Sequence, residues 1–248
     1  MHELGLHELG MTRSVCRRDH LLQTPDTFVR APLPGMCKAT AVVHAAPQIG
    51  AKFMQYTAEF EEGGILPPAG AQRFLYVLEG EVECVGYGPL HPGDYAYIPP
   101  GAKECISAHE AARAAVIEKP YLTLDGAPPP RFLAGRETNV QPQPLMGDVD
   151  LEVRALVPAD ARFDFAVNTM TYQPGAALPM VEIHVMEHGL LMLQGGGIYR
   201  LNDCWYPVAA GDFIWMGPYC PQWFGALGKR PAKYLVYKDW NRNPSGGA

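Results

Sequence analysis

The sequence predicts an all-β protein built as two tandem barrels of one strand unit. Two observations lead there. Residues 75–100, LYVLEGEVECVGYGPLHPGDYAYIPP, and residues 190–218, LLMLQGGGIYRLNDCWYPVAAGDFIWMGP, repeat a single pattern. Each has an apolar strand, a turn at Gly80 or Gly195, an alternating strand, a second turn at P-G-D or A-G-D, and an aromatic-rich strand. So extended a match marks an internal duplication rather than a chance turn. The second observation is punctuation. The 248 residues include 26 Gly and 24 Pro, which suits many short strands joined by tight turns. Helical periodicity is scarce, so sandwich or barrel units are favoured.

The elements follow in chain order. Residues 1–30 hold no convincing strand pattern and are expected to form an arm or cover; the tetrapeptide HELG occurs twice at the start, and no function is assigned to it. Residues 31–124 contain the first copy. Residues 125–147, DGAPPPRFLAGRETNVQPQPLMG, have few alternating apolar positions and read as a linker. Residues 148–248 contain the second copy. A short helix is expected around Pro158–Phe165, where acidic and small residues follow Val157.

Composition limits the partners. At 48% hydrophobic and 19% charged, the chain suits a globular protein with a sizeable core. Lys and Arg number 20 against 26 Asp and Glu, a formal charge of −6 without a basic run. Nucleic acid and anionic membranes need a clustered positive field and are therefore disfavoured. No apolar run reaches the roughly 18–20 residues that span a bilayer. Six scattered cysteines without a C-x-x-C pair, and no signal-peptide pattern, lead to the expectation of reduced thiols in a cytoplasmic protein.

The most informative stretch is 175–195, GAALPMVEIHVMEHGLLMLQG. Val181–Val185 alternates apolar and polar, so Glu182 and His184 should project from one face of a strand. His188 follows where a turn can swing it back toward them. One carboxylate and two imidazoles converging on a point suit a divalent ion such as Mn²⁺, Fe²⁺ or Zn²⁺; the plain alternative is a solvated surface strand. The first copy has Pro67, Ala69 and Arg73 at the equivalent positions and Glu104 at a fourth. Pro and Ala offer no side-chain donor and Arg73 repels a cation, so the first unit is expected to be metal-free.

The spacing G-x6-E-x-H-x3-H-x6-G around Glu182, His184 and His188 resembles the first cupin motif, G-x5-H-x-H-x3,4-E-x6-G, with the outer ligand types exchanged. GDFIWMGPYCPQ resembles the second motif and places Gln222 at the fourth ligand position. The resemblance implies a bicupin: two cupin jelly-roll barrels, with residues 31–124 metal-free and residues 148–248 catalytic. More narrowly, VEIHVMEHG, GGGIYRL, GDFIWMGPYCPQ and YLVYKDWNR resemble the (S)-ureidoglycine aminohydrolase family over about Ala31 to Asn243. That resemblance implies hydrolytic release of ammonia from (S)-ureidoglycine in ureide catabolism. It also implies a Mn²⁺ centre at Glu182, His184, His188 and Gln222, with Fe²⁺ or another divalent ion as alternatives, and catalytic, substrate-facing roles for Tyr199, Tyr234 and Lys238.

The plain readings are strand aromatics for Tyr199 and Tyr234, and a surface ion pair within Lys238-Asp239. Glu187 is expected to be solvent-facing or an outer partner of the site. His2, His7, His20, His44, His91 and His109 lack ligand spacing and are expected to be incidental. Rival functions are a cupin dioxygenase or isomerase, against whose redox version Gln222 counts, and a binder of small molecules without catalysis. The expected partner is a small ureide, and a homo-oligomer is expected because unpaired sheet edges tend to be covered.

Overall fold

The computed structural model describes residues 11–84 and 86–242. The HELG repeat, with His2 and His7, and residue 243 onward lie outside them. Among the described residues every regular element is a strand or a single 3-10 turn, and no helix is long and apolar enough to cross a membrane.

The first half forms a ten-stranded antiparallel sheet. Its central strands are Asp94–Ile98, Gln72–Glu79, Ala112–Lys119 and Met54–Leu66. The second half forms an eight-stranded sheet centred on Phe213–Met216, His188–Gln194, Ala232–Asp239 and Phe165–Tyr172. A three-stranded sheet of Cys204–Ala209, Gly196–Leu201 and Gln222–Ala226 faces it across a shared core. The duplication is visible at atomic scale. Gly80 (φ +68) and Gly195 (φ +65) take the same left-handed turn, and a Cβ on either would meet a backbone carbonyl oxygen 2.5 Å away, that of Ala111 or Pro231. Only glycine suits such a position.

The central strands are buried on both faces, so their period-2 alternation sorts side chains between two cores rather than between core and water. In His188–Gln194, Leu190 and Met192 enter the interior of the second half, while Leu191 faces the first half. Ala232–Asp239 divides likewise, Tyr234 and Val236 inward, Leu235 and Tyr237 toward the seam. In the first half Leu75 and Val77 point inward, whereas Phe74 and Tyr76 meet the seam. The seam is a third core, rich in aromatics; Phe53 stacks on Tyr237 with ring centroids 4.0 Å apart. Each fully buried large apolar side chain there contributes about 1.5–3 kcal/mol. One buried ion pair crosses it, Lys119 Nζ to Asp164 Oδ2 at 2.6 Å, and Asp164 also accepts from the Gln72 amide and the Leu122 backbone N–H.

Three sequence expectations are corrected. Residues 1–30 do hold strands: His20–Gln23 pairs with Phe213–Met216 and extends the second-half sheet from the chain's opposite end. The proline-rich stretch also contributes strands. Leu133–Arg136 adds to Asp94–Ile98 of the first sheet, and Gln143–Leu145 to Asp148–Ala155 of the second. No helix forms around Pro158–Phe165. The Asp160 carboxylate accepts the Arg162 backbone N–H and Asp160 O accepts that of Phe163, a local turn that competes with helix formation.

Two of the histidines expected to be incidental are buried clasps. His44 bonds to Gln23 Oε1 at 2.7 Å and Thr57 Oγ1 at 2.8 Å and stacks on Phe213, so it joins the N-terminal segment to both halves. Burial pushes its pKa down to about 3, and the Arg113 charge adds to this. His20 is held between Asp19 and the Tyr206 hydroxyl, each at 2.9 Å.

Candidate active site

The stretch 181–187 is irregular rather than a strand, with one bridge position. Glu182 N donates to Gln222 O at 2.8 Å and Gln222 N to Glu182 O at 2.9 Å, so these two residues stand directly opposite each other. The expected alternation persists, with its faces inverted relative to an ordinary core strand. Val181 and Ile183 are exposed, while Glu182 and His184 point into a cavity of about 110 Å³. His184 is fixed through its carbonyl, which accepts the Tyr219 N–H at 2.8 Å. His188 begins its strand between Met216 and Lys238, paired to both.

The cavity collects every residue anticipated from sequence: Glu182, His184, His188, Gln222, Tyr199, Tyr234 and Lys238. Leu145, Met170, Leu178 and Met186 form apolar wall. Each histidine sets its Nδ1 against a backbone carbonyl at 3.2 Å, His184 against Met186 O and His188 against Tyr237 O. A carbonyl can only accept, so Nδ1 carries the proton and Nε2 is a bare lone pair. The two Nε2 atoms then face each other at 3.2 Å, with the Gln222 amide 2.8 Å from His184 Nε2. Facing acceptors repel unless a cation or proton lies between them, so the donor set fits a divalent metal. A half-turn of the Gln222 amide presents its oxygen to the same point without backbone movement.

Electrostatics agree with this arrangement. Burial, then the nearby Lys238 and His184, hold the His188 pKa well below the usual imidazole range, so it is a neutral donor. Burial lowers the Lys238 pKa, with Glu182 opposing part of the effect. Burial raises Tyr199 and Tyr234 well above the usual phenol range, so both are neutral hydroxyls. Tyr199 donates to Gln222 Oε1 at 3.3 Å.

Two residues lay beyond sequence reasoning. Tyr172 shares a 2.7 Å hydrogen bond with Tyr234, and nothing but alternation within Phe165–Tyr172 distinguishes it. Leu145 reaches the wall from the stretch read as linker. Of the two readings of Glu187, solvent-facing or outer partner of the site, burial excludes the first: it lies in the seam, where burial raises its pKa.

Neither of two other clusters competes. A larger cavity of about 500 Å³ lies between the halves, but its charged groups are already paired, Arg113 with Glu79 and Lys233 with Glu137. Asp19, His20 and Cys220 sit close enough together to consider a metal. Both carboxylate oxygens and both ring nitrogens there are already bonded, to each other, Asn202 and Tyr206, and burial pushes the Cys220 thiol up to about 11. That cluster pins the N-terminal strand.

The chain resembles known proteins over nearly its full length. The cupin domain model matches residues 168–237. The rice (Oryza sativa subsp. japonica) protein named probable (S)-ureidoglycine aminohydrolase is 41% identical over 244 residues, 95% of this chain and 77% of the rice protein. The Arabidopsis thaliana (S)-ureidoglycine aminohydrolase is also 41% identical, over 95% of this chain and 80% of its own. The crystal structure of Escherichia coli protein Ylba superposes with a TM-score of 0.83 at 27% identity, covering 96% of this chain and 98% of that one. An all-β fold, a cupin match in its second half and this identity over nearly all of its length together place the chain in the (S)-ureidoglycine aminohydrolase family of cupin proteins.

Proposed function

We propose that the chain hydrolyses (S)-ureidoglycine to (S)-ureidoglycolate and ammonia, a step of ureide catabolism, with a divalent metal at Glu182, His184, His188 and Gln222. The observation that carries this reading is the convergence of those four donors with a lysine of lowered pKa and two neutral tyrosines on one small cavity. The carboxylate and amide oxygens beside two imidazoles favour Mn²⁺, with Fe²⁺ next. When bound, the ion supplies Lewis acidity and a template for the substrate carboxylate.

The protein's own residues supply the rest. Water adds its oxygen to the central carbon, the carbon–amine bond breaks, and the water proton leaves with the amine as ammonia. Lys238 is suited to carry that proton, because it lines the cavity and burial lowers its pKa, which favours release of a proton more than in an exposed lysine. In its charged form it pairs with the substrate carboxylate. Tyr199 and Tyr234 orient the ureido group by hydrogen bonds, Tyr199 through its hydroxyl oxygen as acceptor while its proton is held by Gln222, and Tyr172 fixes the Tyr234 hydroxyl. A cavity of about 110 Å³ admits only a compact molecule.

The reading extends to organisation. Residues 31–124 act as a metal-free unit and residues 148–248 as the catalytic one. The six free cysteines suit a cytoplasmic location, and exposed sheet edges suit a homo-oligomer. The test is ammonia release from freshly generated (S)-ureidoglycine by Mn²⁺-loaded protein against chelator-stripped protein. Metal-dependent release above the spontaneous rate, giving one enantiomer of ureidoglycolate, is expected. No acceleration from a folded, loaded sample would sink the substrate assignment.

A further inference from the structure

His188 is held from behind by the half of the molecule that lacks ligands of its own. The residue before it, Glu187, is 1% exposed and turned into the seam. Its Oε1 accepts the Lys52 backbone N–H at 2.9 Å and its Oε2 accepts the Trp215 indole N–H at 3.2 Å. The residue after it, Gly189, has no room for a side chain. A Cβ there would meet the Phe53 ring at 2.7 Å and collide with Gln55 Oε1. The acceptor that orients the His188 ring is the Tyr237 carbonyl, and the Tyr237 ring stacks on Phe53. Residues 52–55 therefore touch both neighbours of His188 and the residue that sets its ring.

We propose that residues 52–55 of the first half position His188 for metal binding, with Glu187 and Gly189 as positioning residues through which they act. This rests on the reading of His188 as a metal ligand. It gives the metal-free first half a part in the metal site. Partners one shell out from a metal typically change its affinity 10- to 100-fold. Glu187→Gln keeps the shape but turns an NH₂ toward one of the two N–H donors. Gly189→Ala drives a methyl group into Phe53, and adding Phe53→Leu makes room for it.

The experiment measures the Mn²⁺ dissociation constant and the electron paramagnetic resonance line shape of the bound ion in the full-length protein, with thermal midpoints taken on the metal-free form. Glu187→Gln and Gly189→Ala are each expected to weaken Mn²⁺ binding about 10-fold or more and to alter the line shape. Phe53→Leu in the Gly189→Ala background is expected to recover part of the loss. Affinities within twofold of wild type in both single variants would overturn the proposal. So would lowered thermal midpoints with unchanged affinity and line shape, the signature of a purely structural contact. Wild-type protein that binds Mn²⁺ no better than His184→Ala would bring down the metal reading itself, which separates the two failures.

Discussion

At one point in each half, two neighbouring strands place a pair of residues side by side facing the interior. In the second half the pair is His188 and Lys238; in the first it is Arg73 and Glu118. Arg73 is buried, with Nε 2.8 Å from Glu118 Oε1, and the Tyr56 hydroxyl donates to the same oxygen at 2.9 Å. The first interior thus carries its own cation, covalently attached and already matched with a carboxylate. The second presents bare imidazole nitrogens to each other and keeps its lysine out of any ion pair among the described residues. One backbone accommodates both solutions. Whether a duplicated barrel can do chemistry depends on whether its central charges are satisfied internally or left open.

Substitutions test this contrast. His184→Ala should remove the metal and reduce turnover to the spontaneous rate while the first half stays folded; metal analysis with circular dichroism checks this. Lys238→Met should lower kcat/KM by about 10²- to 10⁴-fold, the usual range for a lost proton-transfer group, with metal content retained. Arg73→Met leaves a partly buried glutamate unpaired and should cost about 3–5 kcal/mol of stability in urea unfolding, again with metal content unchanged. His44 tests the clasp shared by the halves. Its folded pKa of about 3 lies below an unfolded value of about 6.5, so the unfolded chain binds the extra proton and stability falls as pH drops below about 6.5. Between pH 6.5 and 5 this should remove roughly 2 kcal/mol, and His44→Gln should flatten that slope. Glu104→Ala, at the fourth position of the first half, should change neither metal content nor turnover.

Part of the candidate site was legible because its donors are written locally: Glu182, His184 and His188 lie within one short stretch, whereas Gln222, Tyr199, Tyr234 and Lys238 came from the resemblance to known motifs. The arm was not legible for a physical reason. His20–Gln23 is too short to carry periodicity, and it is a strand only because Phe213–Met216 offers it an edge. Leu133–Arg136 and Gln143–Leu145 likewise take their strand character from distant partners that a proline-rich stretch does not announce. For Glu187, whether its side chain meets water or protein depends on how the halves dock, which local sequence does not show.

The pairing of His20–Gln23 with Phe213–Met216 also bears on the order of assembly. These partners lie near opposite ends of the chain, and so large a loop must close before its contacts can reward closure. During synthesis the first sheet can form early, since its strands lie close together in sequence, whereas the edge beside His188 stays open until the last strands have emerged. The face that carries the candidate metal donors is then the last part of the molecule to mature, and refolding monitored at Trp215 should lag behind formation of the first sheet.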